Sequence, residues 1–279
     1  MTIKNQLKTA MLLAVLTALL LWIGSFFGRA GFYFALVFVG AMNIASYWFS
    51  DKIVLWMYRA KQAKESEYPK LYKVVKEISR LSGLPIPKVY VIPSEQSNAF
   101  ATGRNPNNAA VAATEGIIKI LNEEELKGVI AHEFAHIKNR DILISTVAGT
   151  IAGVISYIGN MFMWSAMFGD DDNRGNIFGL LFLAIITPIA ASIIQLAISR
   201  SREYLADETG ARFVRNGNHL ADALEKIEKN VAAHPMRMGT QATAHLFISN
   251  PLRQGAFLAL FMTHPSTKSR TERLRNMKF

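Results

Sequence analysis

The sequence predicts a mainly α-helical integral membrane protein: four transmembrane helices and a cytoplasmic α+β domain with a small β-sheet. Three observations predict this. Hydrophobic residues make up 51% of the chain and are gathered into four long runs rather than spread along it. Basic residues crowd one set of ends of those runs. Short strand signals after the second run lead into a helix that carries His132-Glu133-Phe134-Ala135-His136.

Composition narrows the chemistry. The net charge of +10 could serve nucleic acid, but no nucleic-acid module is recognisable. The Lys and Arg residues sit beside apolar runs, which fits a lipid surface. There is no cysteine, so disulfides and thiolate metal sites are excluded. Histidine and carboxylate remain as ligands.

The first apolar run covers about residues 10–27 and follows Lys4 and Lys8. It is long for the core of a signal peptide, no small-x-small cleavage site follows, and a second run begins almost at once. It therefore reads as a membrane helix. The second covers about residues 32–49, after a Gly28-Arg29-Ala30-Gly31 turn, with Trp22, Tyr33, Trp48 and Phe49 toward span ends.

The stretch from Lys52 to Lys64 is basic and marks an exit to the cytoplasm. Leu71, Val74, Val75, Ile78 and Leu81 then follow helical spacing, stopped by Gly83 and Pro85. Residues 88–92 alternate as a strand. Residues 98–103 and 109–114 flank Asn105-Pro106-Asn107-Asn108, a hairpin signal. Asn122 followed by Glu125 makes a capping box at the start of the His132 helix.

Third and fourth apolar runs cover about residues 142–168 and 177–198, with an acidic loop between them and Pro188 as a kink. Residues 201–215 continue the fourth helix into the cytoplasm, and Gly217 ends it. Leu220, Ala223, Leu224, Ile227 and Val231 mark one more helix, and the tail from 232 to 279 reads as irregular. This divides the chain into an N-terminal membrane hairpin (1–50), a first cytoplasmic part (51–141), a second membrane hairpin (142–198) and a second cytoplasmic part (199–279). Lys4, Lys8, Lys52, Arg59, Lys61, Lys138, Arg140, Arg200 and Arg202 share one side of the membrane. The positive-inside rule puts that side, with both termini and the histidines, in the cytoplasm.

The pattern H-E-x-x-H matters only on a helix. Histidines four apart then lie roughly 40° apart around the axis and can share one metal ion. Glu133 is beside them, able to take a proton from water but badly placed to be a ligand. That division of labour belongs to a zinc hydrolase with one Zn2+ per chain.

Membrane geometry selects the third ligand. His136 precedes the third run, and Glu203 follows the fourth, by nearly equal numbers of residues. At about 1.5 Å per residue both stand roughly 8–9 Å above the membrane face. Two histidines, a glutamate and an open position make a catalytic site. Asp207 is one turn further along, level with His132. It either accepts from a ligand histidine's second ring nitrogen, pairs with Arg270, or is a plain surface charge.

His132-Glu-Phe-Ala-His-Ile-Lys-Asn-Arg-Asp, Ser201-Arg-Glu-Tyr-Leu-Ala-Asp and His264-Pro-Ser-Thr-Lys-Ser-Arg together resemble the HtpX family of membrane zinc metalloproteases, distant relatives of CAAX prenyl-protein endopeptidases. The resemblance runs over essentially the whole chain. It implies a gluzincin-type protease domain acting in heat-shock-associated quality control of bacterial inner-membrane proteins. It also implies that Asn98, Ala99, Phe100 and Ala101 form an edge strand that binds substrate, as strand addition would. His264 becomes the candidate oxyanion donor, while His219, His234 and His245 read as ordinary histidines. Partners are then membrane protein substrates and the bilayer, not nucleic acid. A site-specific prenyl-protein protease is the rival enzyme, and a transporter or non-catalytic scaffold the rival of another class. The retained Glu133 and Glu203 argue against a relict scaffold.

Overall fold

The computed structural model describes residues 28–143, 145, 200–233 and 265–279, with scattered positions between 7 and 25. The third and fourth apolar runs lie outside them, apart from a helical start at 142, 143 and 145. So do the acidic loop, His234, His245 and His264.

Among the described residues one helix is long and apolar enough to cross a membrane: α1 (Gly28–Met57), over Gly28–Ala45, of which only 12% is buried. The expected turn at residues 28–31 is absorbed into this helix, which begins at Gly28. The described positions of the first run are helical too, and Asn43 Nδ2 donates to Thr17 Oγ1 at 2.9 Å, tying that run to α1. Four spans are thus an expectation that the described residues do not reach.

Beyond α1 the elements are β1 (Lys61–Gln62), α2 (Pro69–Ser82), β2 (Lys88–Ile92), β3 (Ala99–Gly103), β4 (Ala109–Thr114), α3 (Glu115–Ile120), α4 (Glu123–Lys138), α5 (Arg200–Val214), α6 (Asn218–Ala233) and α7 (Thr267–Arg275). Gly83 closes α2 in the left-handed conformation, as its place in the sequence predicts. The predicted stripe holds for Leu71, Val74, Val75 and Ile78, all buried, but Leu81 is 43% exposed. β1 and α3 are too short to leave a periodic signal.

The sheet runs β1-β2-β4-β3. β2 and β4 are parallel, and the other two pairs are antiparallel. Among the described residues β3 is therefore an edge, held on one side by β4 in the register Ala99↔Ala113 and Ala101↔Val111. Alternation gives the sheet two buried faces. Val89, Val91, Ala99, Ala101, Val111 and Ala113 join the main core with α2, α4 and α6. Ile92, Phe100, Ala110 and Ala112 pack against Val54, Leu55 and Tyr58 at the end of α1.

At the centre lies α4. The predicted capping box is present, with Asn122 Oδ1 accepting from Glu125 N and Glu125 Oε2 accepting from Asn122 N. Two reciprocal bonds satisfy donors that a helix start otherwise leaves open. The tail is not irregular throughout, as its composition suggested. Ser266 caps α7, which buries Arg270, Thr271 and Leu274. A nearly all-polar helix has no apolar stripe to read, so its ion pairs and packing had to reveal it.

Candidate active site

His132 and His136 stand one turn apart on α4, and α5 lies across them. Gly210 makes that crossing close: a Cβ there would come 2.8 Å from His132 N and 2.9 Å from the Ala131 carbonyl. Glu203 is two turns earlier on α5, and this approach brings its carboxylate to both histidines. His132 Nε2 and His136 Nε2 are 3.1 Å apart, and the Glu203 oxygens lie 3.7 Å and 3.6 Å from them. Donors in tetrahedral contact with a zinc-sized ion at about 2.0–2.1 Å are separated by roughly 3.3–3.4 Å. The two Glu203 distances are to different carboxylate oxygens, and one ligand atom from each of the three residues lies within 4.8 Å of the others, so the donor set is close enough to share such an ion and these are the residues that could hold it.

Around the donors is a ring of buried charge. His132 Nδ1 is 2.9 Å from Asp207 Oδ1. Arg270 grips the same carboxylate with two bonds, Nε to Oδ2 at 2.9 Å and a terminal nitrogen to Oδ1 at 2.7 Å. Arg270 is 1% exposed and also lies 3.9 Å from Glu203. Asp207 thus lies against both of the partners its position allowed, His132 and Arg270. His136 Nδ1 is 3.4 Å from Asp141 Oδ2. Arg140, at φ 60, turns the chain at the end of α4, and Asp141 N bonds back to His136 O at 3.0 Å. Each histidine so has a carboxylate behind it, which can fix the ring and its tautomer.

Burial and charge compete here. Burial alone would pull His136 down, but the Asp141 hydrogen bond and the charges of Glu203 and Glu133 lift it to about 9. Burial would raise Asp207, yet Arg270 and His132 hold it below the usual carboxylate range. Glu133 is raised by burial, against the opposing pull of both histidines.

Glu133 reaches the sheet. Its Oε2 accepts from Ala101 N at 2.7 Å, a β3 amide on the side away from β4. By the alternation of an antiparallel pair, Ala99 and Ala101 present main-chain groups to the edge. Asn98 does not: its N–H goes to Thr114 Oγ1 and its carbonyl to Thr114 N, both at 2.9 Å. The Phe100 ring is likewise turned to Tyr58, 5.5 Å between centroids. Of the four edge-strand residues, Ala99 and Ala101 thus turn main-chain groups to the edge while their side chains stay in the core, and the main chain of Asn98 and the ring of Phe100 are engaged within the fold.

Asp141, Gly210 and the Ala101 amide were missed from sequence. Asp141 sits just past the helix end, where spacing arguments lapse. Gly210 is seven residues from Glu203, two turns on the same face, and that spacing could have flagged it.

Residues 65–278 match the model for peptidase family M48. The chain belongs to peptidase family M48. Similar M48 relatives are the Protease HtpX homologs of Syntrophobacter fumaroxidans, 51% identical over 98% of this chain and 99% of the relative, and of Pyrococcus abyssi, 50% identical over 97% and 95%. The crystal structure of S. mikatae Ste24p shares the fold, with a TM-score of 0.52 and 18% identity. That match takes in 98% of this M48 chain, which spans 66% of the length of Ste24p.

Proposed function

We propose that this M48 peptidase is a zinc-dependent endopeptidase embedded in the cytoplasmic membrane. Its substrates are misfolded or damaged membrane proteins, cut on the cytoplasmic side. The observation that carries the reading is the convergence of His132, His136 and Glu203 beside a buried carboxylate that touches an edge strand. Zinc held by those three residues would polarise the scissile carbonyl and acidify water. Glu133 takes the proton from the attacking water and passes it to the leaving amine. The main-chain groups of Ala99 and the Ala101 carbonyl hold the substrate extended, which suits many sequences, while the Ala101 N–H stays on Glu133. Asp207 and Asp141 keep the histidine rings aimed at one point. His264 is assigned to the oxyanion by its family motif alone. The apolar helix α1 and the basic residues at its end support a membrane setting with the site in the cytoplasm.

The test is purified protein assayed for metal content and casein cleavage, with and without chelator, beside Glu133→Gln. The variant is expected to keep one zinc and to lose hydrolysis by several orders of magnitude. Wild-type turnover in the variant would refute the mechanism.

A further inference from the structure

Helix α1 is longer than a membrane core requires. Its 30 residues extend about 45 Å, while hydrocarbon is about 30 Å thick and the bilayer with headgroups about 40–45 Å. With Gly28–Ala45 in the core, residues 46–50 cross the near headgroup layer, about 5–8 Å thick, and residues 51–57 emerge at its surface. That segment has two unlike sides. Val54, Leu55 and Tyr58 are buried against the sheet. Phe49 and Trp56 are 49% and 79% exposed on the opposite side with exposed Lys52 between them, and Trp48, 52% exposed, stands two turns before Leu55 on the flank between the two sides. Lys52 Nζ stands 5.4 Å over the Phe49 ring. Arg104 stands 4.3 Å over the Trp48 ring.

Arg104 belongs to the turn that follows β3. Its stack on Trp48 sets that turn three residues past Ala45, at the edge of the core. Lys52, Arg59, Lys61 and Lys64 add cations nearby, and between 46 and 64 Asp51 is the one acid in the sequence. Aromatic rings with basic side chains at this depth are the chemistry of a lipid interface.

We propose that Trp48, Lys52 and Arg104 form a docking surface for anionic phospholipid headgroups. The inference rests on α1 spanning the membrane, part of the function proposed above. Its consequence is that the β3 edge is parked at the bilayer surface, where a substrate segment leaving the membrane meets it. Lipid would then do what a sequence-reading pocket does in other proteases: it would choose substrates by position.

The experiment uses the full chain with Trp22, Trp56 and Trp164 changed to Phe, reconstituted into vesicles. Trp48 emission is quenched with brominated phosphatidylglycerol or brominated phosphatidylcholine. Each cation at the surface favours anionic lipid by roughly fivefold, so clear selectivity for phosphatidylglycerol is expected. It should fall toward one in Arg104→Gln/Lys52→Gln, survive in Arg104→Lys, and weaken at high salt. Equal quenching by the two lipids, or selectivity that persists in the double Gln variant, overturns the docking surface while leaving the span intact. A chain that is not retained in vesicles overturns both.

Discussion

Replacing Gly210 by Ala tests how the metal site is assembled. The added Cβ would sit 2.8 Å from His132 N, whereas ordinary contact begins at 3.4 Å. The obstacle is backbone on α4, so α5 must retreat by about 0.6 Å. Glu203 and Asp207 are both on α5 and move with it. Metal–ligand distances tolerate only about 0.2 Å, so Glu203 cannot keep its place in the triangle. Metal affinity should fall about 10–100-fold, as when a supporting contact is lost, with a stability loss of about 1–3 kcal/mol. The assay is chelator competition on purified protein, well below the unfolding temperature. Gly128→Ala is the control. It lies on α4 one turn before His132, and its Cβ would meet Leu220 N at 2.5 Å on α6, which carries none of the three ligands and can give way instead. It should lower stability but leave affinity near wild type. If Gly210→Ala binds zinc as tightly as wild type, or if Gly128→Ala loses affinity equally, the close crossing does not position the ligands.

Other outcomes follow from the buried charges. Arg270→Ala leaves Asp207 buried without its cation and should cost about 3–5 kcal/mol in urea unfolding; a loss below 1 kcal/mol would show that the pair is dispensable. Asp141→Asn should reduce zinc affinity about 10–100-fold, and unchanged affinity would remove Asp141 from the site. In metal-free protein, His136 is raised from 6.5 to about 9. Its protonation therefore stabilises the fold fully below pH 6.5, and that contribution is lost as pH rises through 9. A metal ion bound through His136 must displace this proton, so apparent affinity for added zinc should climb by about tenfold per pH unit up to about pH 9; a flat profile from pH 7 to 9 would contradict the shift.

Much of this protein is legible from residue order because its signals are local. The capping box at Asn122 and Glu125, the stop at Gly83 and the hairpin around Asn105 each depend on residues a few positions apart. The H-E-x-x-H ligands are one helical turn apart, so the helix alone brings them together. Glu203 was reachable through the expected pairing of the third and fourth runs, which lie outside the described residues, and through the Ser201-Arg-Glu-Tyr-Leu-Ala-Asp motif. Tertiary structure decided the rest. It set Asp207 between His132 and Arg270, when sequence allowed either partner. It put Asp141 behind His136 through a left-handed turn at Arg140. It gave Ala99 and Ala101 the open edge and took Asn98 and Phe100 into the fold, since strand register settles which amides face outward. It also made a helix of the polar tail, where burial of Arg270 against Asp207 supplies what an apolar stripe otherwise would. Each of these depends on backbone approach between segments far apart in the chain, and no local periodicity encodes that.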